Sequence, residues 1–64
     1  MLTKTDLLKR YNMDEETAEY IVQEADGLDI TINDITIRST GQSNSKGDLI
    51  EEVVYNKNKH ICYI

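Results

Sequence analysis

Tryptophan, phenylalanine and proline are missing from this 64-residue chain, and cysteine occurs once. Without the two bulkiest apolar aromatics, the core has to be assembled from Ile, Leu and Val, helped by some of the four Tyr. A chain this short buries only about 60% of its unfolded surface, so a narrow stability margin is expected. One thiol cannot close an internal disulfide, which removes the usual staple of small secreted domains. No apolar run nears the ~18 residues of a membrane-spanning helix, and the N-terminus lacks the charged-then-apolar layout of a signal peptide. One soluble cytoplasmic domain over residues 1–64 is the expectation, with no membrane contact. A further absence is local: between Tyr11 and Ile37 there is no Lys or Arg at all.

That gap organises the charge. The chain carries a net −5, but Met1–Arg10 is net +2 through Lys4, Lys9 and Arg10 against Asp6. Tyr11–Ile37 holds Asp14, Glu15, Glu16, Glu19, Glu24, Asp26, Asp29 and Asp34, a net −8. Arg38–Ile64 returns to +1. Nonspecific affinity for nucleic acid comes from neutralising phosphates with Lys and Arg, and the central block would repel them.

Local signals give an α+β chain: two short N-terminal helices packed on a small antiparallel sheet of three to four strands. Thr3, with Asp6 three positions on, marks the start of a helix over about 3–11, and Leu2 and Leu7 stand at hydrophobic-staple spacing. Leu7, Leu8 and Tyr11 are expected to pack inward, because so short a helix does not survive alone. A second helix over about 13–26 begins at a cap, Asn12 or equally Asp14, and stops at Gly27. Its first-turn acids suit the helix dipole. Ala18, Ile21, Val22 and Ala25 share its apolar face, while Glu16, Glu19, Tyr20 and Gln23 share the opposite one.

In "LDITINDITIR" the apolar positions change phase, from Ile30 and Ile32 to Ile35 and Ile37. A hairpin turning at Asn33-Asp34 restores one apolar face, predicts strands over about 29–32 and 35–39, and sets Asp29 opposite Arg38; a bulged single strand is the alternative. "STGQSNSKGD" reads as a loop over about 40–48. "LIEEVVY" suits either a helix face or a strand, and the turn-like "NKNK" followed by alternating "HICYI" favours a hairpin of strands over about 50–56 and 60–64. That hairpin sets Val53 against Cys62 and Val54 against Ile61. If its last strand lies at a sheet edge, it offers a route to a homodimer.

Chemistry-bearing patterns are sparse. His60 and Cys62 alternate, so both are able to face one side of a strand, but no second His or Cys is present to complete a metal site. No Gly pattern of a phosphate-binding loop occurs, and no cofactor or catalytic set is expected. The acidic helix is the main functional signal. An ordinary solvated helix mixes signs to gain i,i+4 pairs, and this one contains none of opposite sign. Glu15, Glu16, Glu19, Tyr20, Gln23 and Glu24 form the candidate partner-binding set, with Tyr20 as the aromatic anchor of an interface to a basic protein surface.

The opening "MLTKTDLLKRYNMDEETAEYIVQ" resembles excisionase and MerR-like winged-helix domains, in which a short helix, a turn and a recognition helix precede a β-hairpin wing. The resemblance covers about a third of the chain. It implies a DNA-binding regulator, here reaching DNA through Arg38, Lys46, Lys57 and Lys59. Where those families offer Arg and Lys from the recognition helix, this chain has Asp14, Glu15, Glu16 and Glu19, so direct nucleic-acid binding is disfavoured. In size and charge the chain is similar to non-enzymatic phage inhibitors of the anti-restriction and anti-CRISPR kind, which mimic DNA toward a nucleic-acid-handling protein.

Overall fold

The computed structural model describes all residues, 1–64. Two helices, α1 (Lys4–Arg10) and α2 (Glu15–Glu24), precede a 3-10 turn at Ile32–Asp34 and three strands, β1 (Ile35–Ser43), β2 (Leu49–Tyr55) and β3 (Lys59–Tyr63). The strands form one antiparallel sheet in the order β1-β2-β3. The architecture is α+β, with the helices ahead of a three-stranded sheet.

Each helix starts where a side chain satisfies a free backbone N–H. The Thr3 hydroxyl oxygen accepts from the Asp6 N–H at 3.2 Å, and Leu2 and Leu7 of the staple are both buried. In α2 the cap is Asp14 rather than Asn12. Its Oδ1 accepts from the Thr17 N–H at 2.9 Å, so the helix begins at Glu15, two residues later than expected from 13. Gly27, at φ +86°, provides the left-handed residue beyond the helix. Ala18, Ile21 and Ala25 face inward and join Leu2, Leu7, Ile30, Ile35, Val53 and Cys62 in one apolar cluster. Leu8, expected to pack inward, is 37% exposed instead.

The hairpin expected at Asn33-Asp34 does not form, and 29–32 is not a strand. Asp34 folds back on Thr31: its Oδ2 accepts from the Thr31 N–H at 2.8 Å and the Thr31 hydroxyl at 3.3 Å. The Asp34 N–H donates to the Thr31 carbonyl at 3.0 Å. This local side-chain bonding satisfies backbone groups that a strand ladder would otherwise have to pair. The phase change is thus absorbed by a turn that leaves Ile30 and Ile35 both in the core. Arg38 consequently faces Glu52 across β1 and β2, not Asp29.

The loop expected over 40–48 is shorter, because β1 runs on to Ser43. Between the pairs Ser39↔Glu51 and Ser43↔Leu49 the register slips, with extra residues on β1. There the Thr40 hydroxyl donates to the Ile50 carbonyl at 2.8 Å. Asn44 closes the tip, its Oδ1 accepting from the N–H groups of Lys46 (2.9 Å) and Asp48 (3.1 Å).

The C-terminal hairpin pairs Val53 with Cys62 as expected, but Val54 pairs with His60 rather than Ile61. Ile61 is the extra residue of a bulge. Its connection, Asn56 to Asn58, holds Asn56 at φ +48° and Lys57 at φ +81°. Asn tolerates that region, and Lys at φ +81° is strained.

Two stability measurements follow from this packing. A 64-residue chain has a total margin of roughly 3–10 kcal/mol at the usual per-residue value. Ile21 is fully buried, and Ile21→Ala should cost about 2–5 kcal/mol, enough to abolish or nearly abolish the cooperative urea transition followed by circular dichroism. Leu49→Ser, at a position 65% exposed, should leave that transition in place. Lys57→Gly should raise stability by about 0.5–1 kcal/mol, since relief of the left-handed strain exceeds glycine's entropic cost. A lower urea midpoint for that variant would contradict the turn geometry.

Candidate protein-binding face

The six candidate residues of α2 divide into two groups. Glu15 and Glu19 are one turn apart on the side facing α1, where Lys4 reaches both. Its Nζ donates to Glu15 Oε1 at 2.8 Å and to Glu19 Oε1 at 3.1 Å. These hydrogen bonds, with Glu15 the larger contributor, raise the Lys4 ammonium above its ordinary value. The same contact with Lys4 holds the Glu15 carboxyl below the usual range. The acidic helix therefore does have a cationic partner, supplied from 11 and 15 residues away rather than from its own i,i+4 positions. Such exposed pairs stabilise little, but they offset half of the negative charge on this flank of the helix.

Glu16, Tyr20, Gln23 and Glu24 make no side-chain hydrogen bond or ion pair, and all four are exposed. Glu16, Tyr20 and Glu24 follow one another at i, i+4 and i+8, a continuous stripe along the helix. Tyr20 is 44% exposed. The stripe borders β3: Glu16, Thr17 and Tyr20 line a shallow cavity of about 350 Å³ together with Tyr63 and Ile64. Nearer the other end, the charge of Glu24 is felt at Cys62. Burial chiefly, and Glu24 next, push that thiol up to about 11.

Tyr63 and Ile64 were not among the residues that helix periodicity selects. The Val53↔Cys62 register decides their placement, and the bulge at Ile61 decides that of His60. With Cys62 turned to the core, Tyr63 lies across from Glu52 and is exposed. His60 then shares the sheet face away from the helices with Tyr63, their ring centroids 4.6 Å apart. His60 and Cys62 accordingly do not face the same way, and the pairing that simple alternation allows is absent.

On that outer face Glu52 gathers Arg38 and His60. Its side chain is only 16% exposed. Oε1 accepts from Arg38 Nε at 3.0 Å and lies 2.9 Å from Arg38 Nη2. Oε2 lies 2.7 Å from His60 Nδ1. An ionised carboxylate only accepts, so Nδ1 carries the proton and donates. His60 first, and Arg38 second, hold the Glu52 carboxyl below the usual range. A second concavity, about 620 Å³, opens beside this array between Arg38, Thr40, Gln42, Ile50 and Tyr63. No three His, Cys, Asp or Glu side chains converge as a metal site. No helix is long and apolar enough to cross a membrane.

The chain matches no protein-family model, no curated protein and no solved structure.

The carboxyls give a pH dependence of definite sign. Asp14, held down by hydrogen bonds from Thr17, Glu15 and Glu52 all have folded-state values below their unfolded ones. Their contribution is complete above the ordinary carboxylate range and is lost as the pH falls through the depressed values. Urea midpoints should be flat from neutrality to about pH 5 and drop below it. Glu52→Gln should shallow that drop. Cys62 acts oppositely at high pH: its stabilisation is present below the unfolded thiol value and fades as the pH rises toward about 11.

Proposed function

We propose that this chain is a non-catalytic, cytoplasmic binding module whose α2 stripe of Glu16, Tyr20, Gln23 and Glu24 docks on a basic surface of a protein partner. Inhibition of a nucleic-acid-handling protein, of the phage or mobile-element anti-CRISPR or anti-restriction type, is the function such a surface serves. A helix stripe presenting unpaired carboxylates offers a phosphate-binding groove the charge it was built to receive. The observation carrying the reading is the exposed, unpaired stripe with Tyr20 at its middle, beside an open cavity. Aromatic anchors next to pockets dominate interface energies, and surrounding charges set the association rate. Glu15 and Glu19, tied to Lys4, play a lesser part.

The test compares retention of the same partner from a host lysate by the parent chain and by variants. Glu16→Lys with Glu24→Lys should leave the thermal transition near the parent value, because both side chains are exposed and unpaired. Association should slow at least tenfold, and raised salt should slow the parent in the same way. Tyr20→Ala should instead speed dissociation. Undiminished partner retention by the charge-reversed chain would overturn the proposal. So would tight, salt-sensitive binding of the parent to duplex DNA, which is what a winged-helix regulator acting through Arg38, Lys46, Lys57 and Lys59 requires.

A further inference from the structure

At Glu16 and Tyr20 the free stripe of α2 meets the end of β3 across one open cavity. β3 is an edge strand, since the sheet order is β1-β2-β3. Its hydrogen-bond phase follows from one pair. Glu51 and Ile64 exchange both bonds, Glu51 N–H to the Ile64 carbonyl at 3.0 Å and Ile64 N–H to the Glu51 carbonyl at 2.8 Å. The neighbouring pair, Glu52↔Tyr63, is therefore the non-hydrogen-bonded one, and the Tyr63 N–H and C=O point away from β2. They open beside the cavity formed by Glu16, Thr17, Tyr20, Tyr63 and Ile64.

We infer that the partner of this site binds as an extended basic segment that adds to the sheet along β3, beneath the acidic stripe of α2. The inference rests on the protein-binding reading above and specifies its mode. Strand addition takes affinity from main-chain hydrogen bonds and specificity from pockets for alternate side chains. The spacing along the helix fits an extended chain. Glu16 and Glu24 are eight residues apart, about 12 Å along a helix axis. Residues i and i+4 of a strand are about 13 Å apart, on one face, with i+2 midway. A segment patterned cation, any, apolar, any, cation thus sets its two cations at Glu16 and Glu24 and its apolar side chain at Tyr20. Charge complementarity selects this occupant over a second copy of the chain, whose β3 carries only Lys59 and His60 at one end.

The probe is a fluorescein-labelled, end-blocked peptide, Thr-Lys-Thr-Ile-Thr-Lys-Thr, titrated with the full chain by anisotropy and by amide NMR. The expected result is salt-sensitive binding that shifts the amides of Ile61 to Ile64 and of Glu16 to Glu24. A chemically synthesised chain N-methylated at Tyr63 loses one outward donor and no internal bond. It should melt like the parent and bind about tenfold more weakly, the effect of one net hydrogen bond. N-methylation on alternate peptide residues gives the same test without touching the protein: one phase of methylation should abolish binding and the other should not.

Three results overturn the inference. Equal binding by both methylation phases and by N-methyl-Tyr63, with loss on Glu16→Lys, rejects strand addition and leaves the acidic face as a docking surface. Absence of binding at millimolar peptide rejects the extended basic segment, while partner retention from lysate still judges the face itself. Shifts of β3 amides with protein concentration alone, together with a doubled mass, assign the edge to a homodimer.

Discussion

The bulge at Ile61 governs how the last strand is shared between the core and the surface. Side chains of a strand alternate between faces, so inserting one residue moves everything on one side of it to the opposite face. Because Val54 pairs with His60 while Val53 keeps Cys62, Cys62 remains in the apolar cluster and His60 joins Tyr63 on the outer face. Without the extra residue, His60 and Cys62 would compete for one side, and either the core would take an imidazole or the surface a thiol. The bulge also brings His60 within reach of Glu52, completing a contact that crosses all three strands from Arg38. It shortens the regular part of an edge strand as well, which limits indiscriminate pairing along that edge.

Charge is partitioned by the same framework. Lys4 of α1 pairs with both Glu15 and Glu19, and Glu52 takes Arg38 and His60. After these pairings the acid left unpaired on α2 lies on the stripe that borders β3. A net charge of −5 would say only that the molecule is acidic. The pairing pattern says which carboxylates of α2 are left free, and that is a property of tertiary contacts.

What was legible in the sequence tracks how local its cause is. Thr3 and Asp14 form their caps with residues three positions away, and the apolar face Ala18, Ile21, Ala25 follows from helical period alone. The C-terminal hairpin was legible from alternation and a turn cluster, with the Val53 pairing correct and the Val54 pairing off by the bulge. The region 29–34 misled because alternation fits two geometries. The deciding bond, from the Thr31 N–H to Asp34 Oδ2, is a choice of Asp rotamer that apolar spacing does not encode. For the candidate site, helix period exposed Glu16, Tyr20 and Gln23 correctly. It missed Lys4 as the partner of Glu15 and Glu19, and it missed Tyr63 and Ile64, because strand order and helix placement are long-range outcomes.

The first turn of α2 is acidic. Acid there is compatible with the helix itself: Asp14, Glu15 and Glu16 sit at the end where the dipole favours negative charge, and Asp14 serves as the cap. Local helix physics thus accounts for the first turn and Lys4 accounts for Glu19. It does not account for Glu24, which lies in the last turn, where the dipole disfavours an anion and no basic residue compensates. A helix under selection for stability alone would place Lys or Arg at that end. Retaining Glu24 costs the helix a little and extends the acidic stripe to a third turn, which in the proposed strand-addition mode supplies a second cation contact and with it a register. A groove with register recognises a chain direction and a side-chain pattern, and an isolated acidic patch recognises only charge.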